Sequence, residues 1–495
     1  MEVQRHPHKN KGEEEKINLH LKDVARGSFL SFLGRILGIA LSLGFTVLVA
    51  RLSGARVLGY FSMVFTFYLI GVRISSLGLH TSVLKFGGEA YSRGDLGRLK
   101  GFLLMSLKVT LVVSAILGGL TFLFARDVGN FFSKPLFTPH VKLFGIFFPV
   151  LSVFYLLTES LKALKRAELT AIFQGAGLYL LASISYLVFY FMGCKFVSPT
   201  LSLFLSASVL LGGLILIYRG FFSGIRAEEL AFSGFFRVSL LLMASGVFYF
   251  LMIQMDRLML GYFRPAREVG VYSAASRTAL LVGFGLTMVN YILPPIISSL
   301  FSEGRIREME AVVRRTARWS LVFSAVVGGL FLLYPDAVLS VFGRDFAGGR
   351  PALMILTSAQ IMSAGLGSVG YILSMTEYQG FYFRITMLSV AINFVGNLLL
   401  IPRWGIIGAA LSTGFSLVFS KVWELVYIRE KMGFWAWALT PGRGILSFLA
   451  VLGISLLLLR INRLLAFPVF LLLSLLYLFL NLDSQDRKVF LSLFR

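Results

Sequence analysis

The chain is a succession of predominantly apolar runs of about 20 residues, the length an α-helix needs to cross the hydrocarbon core of a bilayer. The runs fall near 29–50, 57–79, 102–125, 141–161, 168–192, 199–218, 233–255, 270–296, 316–334, 351–372, 381–401, 405–428, 440–460 and 464–482. That makes about fourteen spans. Hydrophobic residues are 57% of the chain and charged ones 14%, with mean hydropathy +0.81, whereas soluble domains carry about 25% charged residues. Lipid is the solvent that fits this composition, and the fold class is an all-α polytopic membrane protein.

An even number of spans puts both termini on one side of the membrane. With the N-terminus inside, the inner segments hold Lys85, Arg93, Arg98 and Lys100, then Lys162, Lys165 and Arg166, then Arg305, Arg307, Arg314, Arg315 and Arg318. The outer loops are poorer, with Lys195 alone in one and Arg344 with Arg350 in another. This bias of roughly two to one predicts a multi-pass protein of the cell membrane with both termini cytoplasmic. Residues 1–28 are polar and mixed in charge, without an apolar core or cleavage site, and read as a cytoplasmic tail. The net charge of +23 suits inner loops and contacts with lipid headgroups better than nucleic acid, since no soluble basic domain exists to bind it. Cys194 is the only cysteine, which excludes an internal disulfide and a Cys-rich metal site.

The sequence repeats itself. Ala55–Ser62 (ARVLGYFS) returns as Ala266–Ser273 (AREVGVYS), Tyr91–Gly94 as Phe301–Gly304, and LVVSAILGGLTFLF from Leu111 as LVFSAVVGGLFLLY from Leu321. All three pairs share an offset of about 210 residues and one order, the mark of a structural repeat. The offset covers six spans, so both copies keep one orientation. Two six-helix lobes related by a pseudo-two-fold axis along the membrane normal are expected, with two extra C-terminal helices. The expected parts are a tail at 1–28, an N-lobe at 29–218, a cytoplasmic linker at 219–232, a C-lobe at 233–430, and the last two spans with a cytoplasmic tail at 431–495.

An ionisable group inside a span is costly and faces a cavity or a partner by default. Arg35 lies in the first span, Arg73 in the second, Asp256 and Arg257 late in the seventh, Arg277 in the eighth and Glu159 in the fourth. The first and second spans are repeat equivalents of the seventh and eighth, which fits a shared cleft. Four arginines against one carboxylate, Asp256, suit an anion, because guanidinium forks match phosphate. The alternatives stand beside this: Arg35 and Arg73 can snorkel, Asp256 and Arg257 can cap a helix end, and Glu159 with Lys162 forms a structural i,i+3 pair, as Lys421 does with Glu424. Pro294-Pro295 removes two amide donors and is expected to break or bend the eighth span, or to mark its end. No phosphate-loop motif, HExxH or Cys/His cluster appears, and no cofactor, metal or enzymatic reaction is expected.

Val49–Ser62 (VARLSGARVLGYFS) resembles a motif of the polysaccharide-exporter, Wzx-type branch of the multidrug/oligosaccharidyl-lipid/polysaccharide (MOP) transporter superfamily, with Ser53 where leucine is common. Met255–Arg277 followed by Pro294–Gly304 is similar to the helix 7–8 pattern of that branch, and Ile401–Gly414 to its helix 11–12 corner. The resemblance implies two six-helix bundles, alternating access, and flipping of a polyprenyl-linked oligosaccharide from the cytoplasmic to the outer leaflet. Related lipid II flippases carry functional arginines in helices 1, 2 and 8. Arg35, in GRILG, is similar in setting to one of them, whereas Arg73 and Arg277 share only the helix.

The expected cargo is therefore a polyprenyl-(di)phosphate-linked oligosaccharide, with Arg35, Arg73, Arg277 and Arg257 on the headgroup, its tail among membrane lipids, and glycan synthesis enzymes as neighbours. The sequence leaves open a coupling ion, Na+ or H+, with Asp256 or Glu159 as its group. Two rivals remain: a cation- or proton-coupled drug exporter of the same superfamily, which predicts carboxylates in the first span where 29–50 has none, and a non-transporting membrane subunit of a glycan synthesis complex.

Overall fold

A computed structural model of the chain describes residues 8–229, 233–437, 468–470 and 472–473. The long helices are α1 (His8–Ser75), α2 (Leu96–Leu123), α3 (Thr138–Ser160), α4 (Leu178–Phe191), α5 (Ser198–Phe221), α6 (Ser233–Phe263), α7 (Ala266–Leu280), α8 (Phe284–Ser302), α9 (Ile306–Leu333), α10 (Arg350–Leu366), α11 (Gln379–Trp404) and α12 (Ile406–Met432). All secondary structure among the described residues is helical.

These helices are turned inside out relative to those of a soluble protein. On α2, Ser106, Thr110, Ser114 and Gly118 recur every fourth residue on the buried face, while Leu111, Val112, Ile116, Leu120 and Leu123 are exposed. On α11, Ser389, Asn393 and Asn397 are buried at the same spacing, and Leu388, Phe394, Val395, Leu398 and Leu399 face outward. Lipid removes the incentive to bury leucine, so small and polar side chains that allow close approach and hydrogen bonding occupy the interfaces. The α2–α3 contact shows why. A Cβ built on Gly118 would lie 2.6 Å from the Gly145 carbonyl oxygen, and one built on Gly145 would lie 2.8 Å from that of Gly118.

Among the described residues, eight helices are long and apolar enough to cross a membrane, or nine if α7 and the start of α8 form one bent span. The count of fourteen is not confirmed: some expected spans are joined, bent or cut short, and two lie wholly or mostly outside the described residues. Residues 29–50 and 57–75 lie in one helix interrupted at Gly54, where φ is 78° and ψ 174°. The 270–296 run bends by 55° between α7 and α8. The 351–372 run stops at Gly367, with φ 74° and ψ −156°, before a short helix Val369–Ser374. The 440–460 run lies outside the described residues, as does 464–482 apart from 468–470 and 472–473.

The chain forms two compact units, residues 1–53 with 60–250, and residues 54–59 with 251–495. In unit 1, α1 packs closely on a π-helical turn, Ile172–Gly177, where Gly38 meets Gly175. In unit 2, the break after α10 exposes the Gly367 carbonyl, which accepts from Lys421 Nζ of α12 at 2.8 Å. Ser368 donates to the side-chain oxygen of Asn290 on α8.

Replacing Gly145 by alanine is expected to lower stability by about 1–3 kcal/mol, the usual cost of overpacking. Gly119→Ala on the same α2, where a Cβ meets nothing within 4 Å, is expected to leave the melting temperature of the purified protein unchanged or raised.

Candidate functional site

Each unit contains a buried polar cluster. In unit 2 it joins α6, α7, α11 and α12. Asp256 is 2% exposed. Its carboxylate accepts the Tyr272 hydroxyl at 2.5 Å, the Thr413 hydroxyl at 3.4 Å and the backbone N–H of Arg257 at 2.7 Å. Asn393 Nδ2 donates to Ser416 Oγ at 3.1 Å and to Thr413 Oγ1 at 3.4 Å, and Asn397 Nδ2 donates to Asn393 Oδ1 at 3.0 Å. A buried carboxylate survives in low dielectric only where donors surround it, and α6, α7 and α12 supply them here while Asn393 of α11 supports Thr413.

The Arg257 side chain places its hydrogen bonds elsewhere, although its charge attracts the neighbouring Asp256 carboxylate. It is 7% exposed. It donates through Nη2 to Ser276 Oγ at 3.0 Å and through Nη1 to Gln254, while its buried Nε has no hydrogen-bond partner among the described residues. Neither Asp256 nor Arg257 caps a helix, because α6 continues to Phe263. Arg277 is half-buried in the last turn of α7, directly after the serine that Arg257 holds. Pro294 and Pro295 lie inside α8, and the 55° bend falls upstream of them, at residues 281–283. The turn Leu281–Gly283, not the proline pair, makes this discontinuity.

In unit 1 the cluster surrounds α3. The guanidinium of Arg73 lies 3.3 Å from the centroid of the Phe250 ring and 5.0 Å from that of Tyr155, and its Nη1 donates to the Leu69 carbonyl at 2.5 Å. Rings on a guanidinium orient it without neutralising it. Tyr155 meets His80 edge-on at 5.2 Å, and His80 Nδ1 lies 2.9 Å from Ser76 Oγ. One turn on, Glu159 pairs with Lys162 at 2.6 Å and accepts from Gln174 Nε2 at 3.2 Å. Gln174 sits in the π-helical turn on which α1 packs. Arg35 is half-buried on that part of α1, one residue after Gly34, which faces Ala171. The structure thus gathers Arg73 and Glu159 around Tyr155, and Asp256 and Arg257 around the α6–α7 contact.

A family model described as "Polysaccharide biosynthesis protein" matches residues 24–301, more than half of the 495 residues. The chain belongs to the polysaccharide biosynthesis protein family. It is 30% identical over 178 residues to the probable low-salt glycan biosynthesis flippase Agl15 of Haloferax volcanii, a stretch covering 35% of this chain and 37% of that relative's length. Its fold is similar to that of a lipid II flippase, MurJ, in an inward closed conformation (TM-score 0.70, 15% identity, covering 92% of this chain and 98% of that one). It is also similar to an inward-facing multidrug resistance MATE family transporter of the MOP superfamily (TM-score 0.66, 12% identity, covering 79% and 94%). The chain shares the fold of these two proteins.

For this polysaccharide biosynthesis protein, sequence reasoning found the charged members of both clusters and missed the neutral ones: Tyr272, Thr413, Asn393 and Asn397 in unit 2, Tyr155, His80 and Gln174 in unit 1. The i,i+4 spacing of Ser389, Asn393 and Asn397 in an apolar run was a readable signal of a polar helix face. The aromatic members had none, because 48 phenylalanines and 18 tyrosines hide the few that touch charge.

Tyr272→Phe removes a donor from the buried Asp256 carboxylate. The expected cost is about 1.5–3 kcal/mol, read as a lowered melting temperature in detergent. Tyr262→Phe, at an exposed position on α6, is expected to be neutral.

Proposed function

We propose that the chain moves a polyprenyl-(di)phosphate-linked oligosaccharide from the cytoplasmic to the outer leaflet of the cell membrane by alternating access, as a step in cell-surface glycan synthesis. The observation that carries this reading is the buried guanidinium of Arg257. Its two described acceptors, Gln254 and Ser276, are neutral, and its Nε has none. A buried guanidinium with a donor to spare suits an anion, and its fork matches phosphate as it does carboxylate. Arg73, against the rings of Phe250 and Tyr155, and Arg35 and Arg277 are the other cations of the proposed set. The names of the flippase relatives support this reading.

The bodies that move are the two compact units, residues 1–53 with 60–250 and residues 54–59 with 251–495, and both termini face the cytoplasm. Outward movement of the negative headgroup is favoured by about 2.3 kcal/mol per charge per 100 mV when the inside is negative. Asp256, with Tyr272, Thr413 and Asn393 around it, is the group through which Na+ or H+ adds to this drive. That site also favours a second reading, a cation-coupled drug exporter.

The test is complementation of a flippase-deficient strain, with lipid-linked glycan identified by mass. The wild-type chain is expected to restore surface glycan, and Arg257→Ala or Arg73→Ala to reduce it at least tenfold while lipid-linked precursor accumulates and protein level holds. Alanine variants that export at the wild-type rate overturn the arginine assignment. Drug resistance without glycan export selects the second reading. Asp256→Asn is expected to slow export without changing precursor binding.

A further inference from the structure

The polar cluster of unit 1 has an acidic end that a phosphate on Arg73 does not use. On α3, Tyr155 and Glu159 are four residues apart and share a helix face, with Cβ atoms about 5–6 Å apart. The Arg73 guanidinium lies 5.0 Å from the centroid of the Tyr155 ring, so a cation stands at one end of this face and a carboxylate at the other. Tyr68 is within electrostatic reach of Arg73, Tyr155 and Glu159. Tyr68 and Tyr155 are only 7% and 9% exposed, yet neither hydroxyl has a hydrogen-bond partner among the described residues. A buried hydroxyl left without a partner costs free energy. Two of them beside one set of charges mark a place where a ligand supplies the missing bonds.

Gln174 joins this face from another segment. The π-helical turn Ile172–Gly177 takes it out of α-helical register, a distortion that often accompanies function. Its Nε2 donates to Thr158 Oγ1 at 2.6 Å and to Glu159 Oε1 at 3.2 Å. Lys162 Nζ holds the other carboxylate oxygen, Oε2, at 2.6 Å. A structural i,i+3 ion pair accounts for Lys162. It does not account for an amide brought in by a π-helical turn, nor for the two open hydroxyls.

This set of groups fits a sugar. A pyranose shows C–H groups on its face and hydroxyls at its edge. Aromatic rings take the face, a carboxylate accepts neighbouring hydroxyls, and an amide both donates and accepts. The spacing fits too. One helical turn, about 5.4 Å, separates the Arg73 end of the face from Glu159, and the first sugar of a lipid-linked glycan is bonded directly to the phosphate.

We propose that Glu159 and Gln174, with Tyr68 and Tyr155, bind the sugar next to the phosphate and decide which sugars the chain accepts. Arg73 must hold the phosphate for a sugar to fall on this face, so the assignment rests on the proposed function. The charge of Glu159 sets the direction of selection. Neutral hexoses and N-acetylhexosamines are accepted, and a hexuronate, whose carboxylate meets that of Glu159, is refused.

The test is binding to the full chain in lipid nanodiscs. The probes are geranylgeranyl diphosphate, bare or carrying glucose, galactose, N-acetylglucosamine, N-acetylgalactosamine or glucuronate on its diphosphate. The wild-type chain is expected to bind at least one neutral glycolipid roughly tenfold more tightly than the bare diphosphate, and the glucuronate no more tightly than the bare one. Glu159→Gln is expected to lose this preference and to narrow the gap to glucuronate, while binding the bare diphosphate as before. Lys162→Met breaks the same ion pair but keeps the carboxylate, and is expected to keep the preference. Equal affinity of the wild type for every probe overturns the sugar assignment and leaves the phosphate reading standing, whereas no binding of any probe overturns both. Unchanged preferences in Glu159→Gln, or equal weakening for bare and glycosylated lipid, also overturn the sugar assignment. Gln174→Ala leaves the ion pair intact and gives the same decision where Glu159→Gln fails to accumulate.

Discussion

A polar group in the hydrocarbon core has no water to bond, so every donor and acceptor must find its partner inside the protein. Many serine and threonine hydroxyls turn back onto their own helix, as Thr46 does to the Ser42 carbonyl and Thr66 to that of Ser62. Where the backbone is interrupted, another helix supplies the partner, as Lys421 does for Gly367. Where a carboxylate is buried, a ring of donors forms, as around Asp256. The same requirement gives the exceptions their meaning. The buried Nε of Arg257, without an acceptor among the described residues, is one such exception, and under the proposed function an anion would meet it.

Much of this was legible in the sequence because hydropathy and charge act over whole spans. Runs of about 20 apolar residues give helices, and α2, α3, α5, α9, α11 and α12 lie where the runs predict. The repeat was legible for the same reason, since its glycines and serines recur at one offset. The breaks were harder. Gly54 and Gly367 interrupt spans that read as ordinary apolar sequence, because left-handed φ is a local property that hydropathy does not carry. Conversely, Pro294-Pro295 attracted attention and lies inside α8. A proline pair disturbs only the carbonyls one turn before it, and Asn290, the first of them, has its side chain tied to Ser368.

The candidate clusters were half legible. Arginine, aspartate and glutamate are conspicuous in an apolar run, whereas the groups that set their chemistry are not. Tyr155 and Phe250 fix the plane of the Arg73 guanidinium, and nothing in the sequence marks these two rings among many. Tyr272 donates to Asp256 across sixteen residues and a helix boundary, a contact that depends on how α6 and α7 fold back on one another. Charge can be found by inspection, but its neighbours depend on tertiary structure.

The Lys421–Gly367 bond has a consequence for biogenesis. Its partners are 54 residues apart in the chain, so α10 emerges from the ribosome well before the ammonium that satisfies its carbonyl. Until α12 arrives, the interrupted end of α10 carries a bare acceptor that costs several kcal/mol in lipid. The broken end of α10 is thus completed only by α12, which ties the maturation of the two helices together.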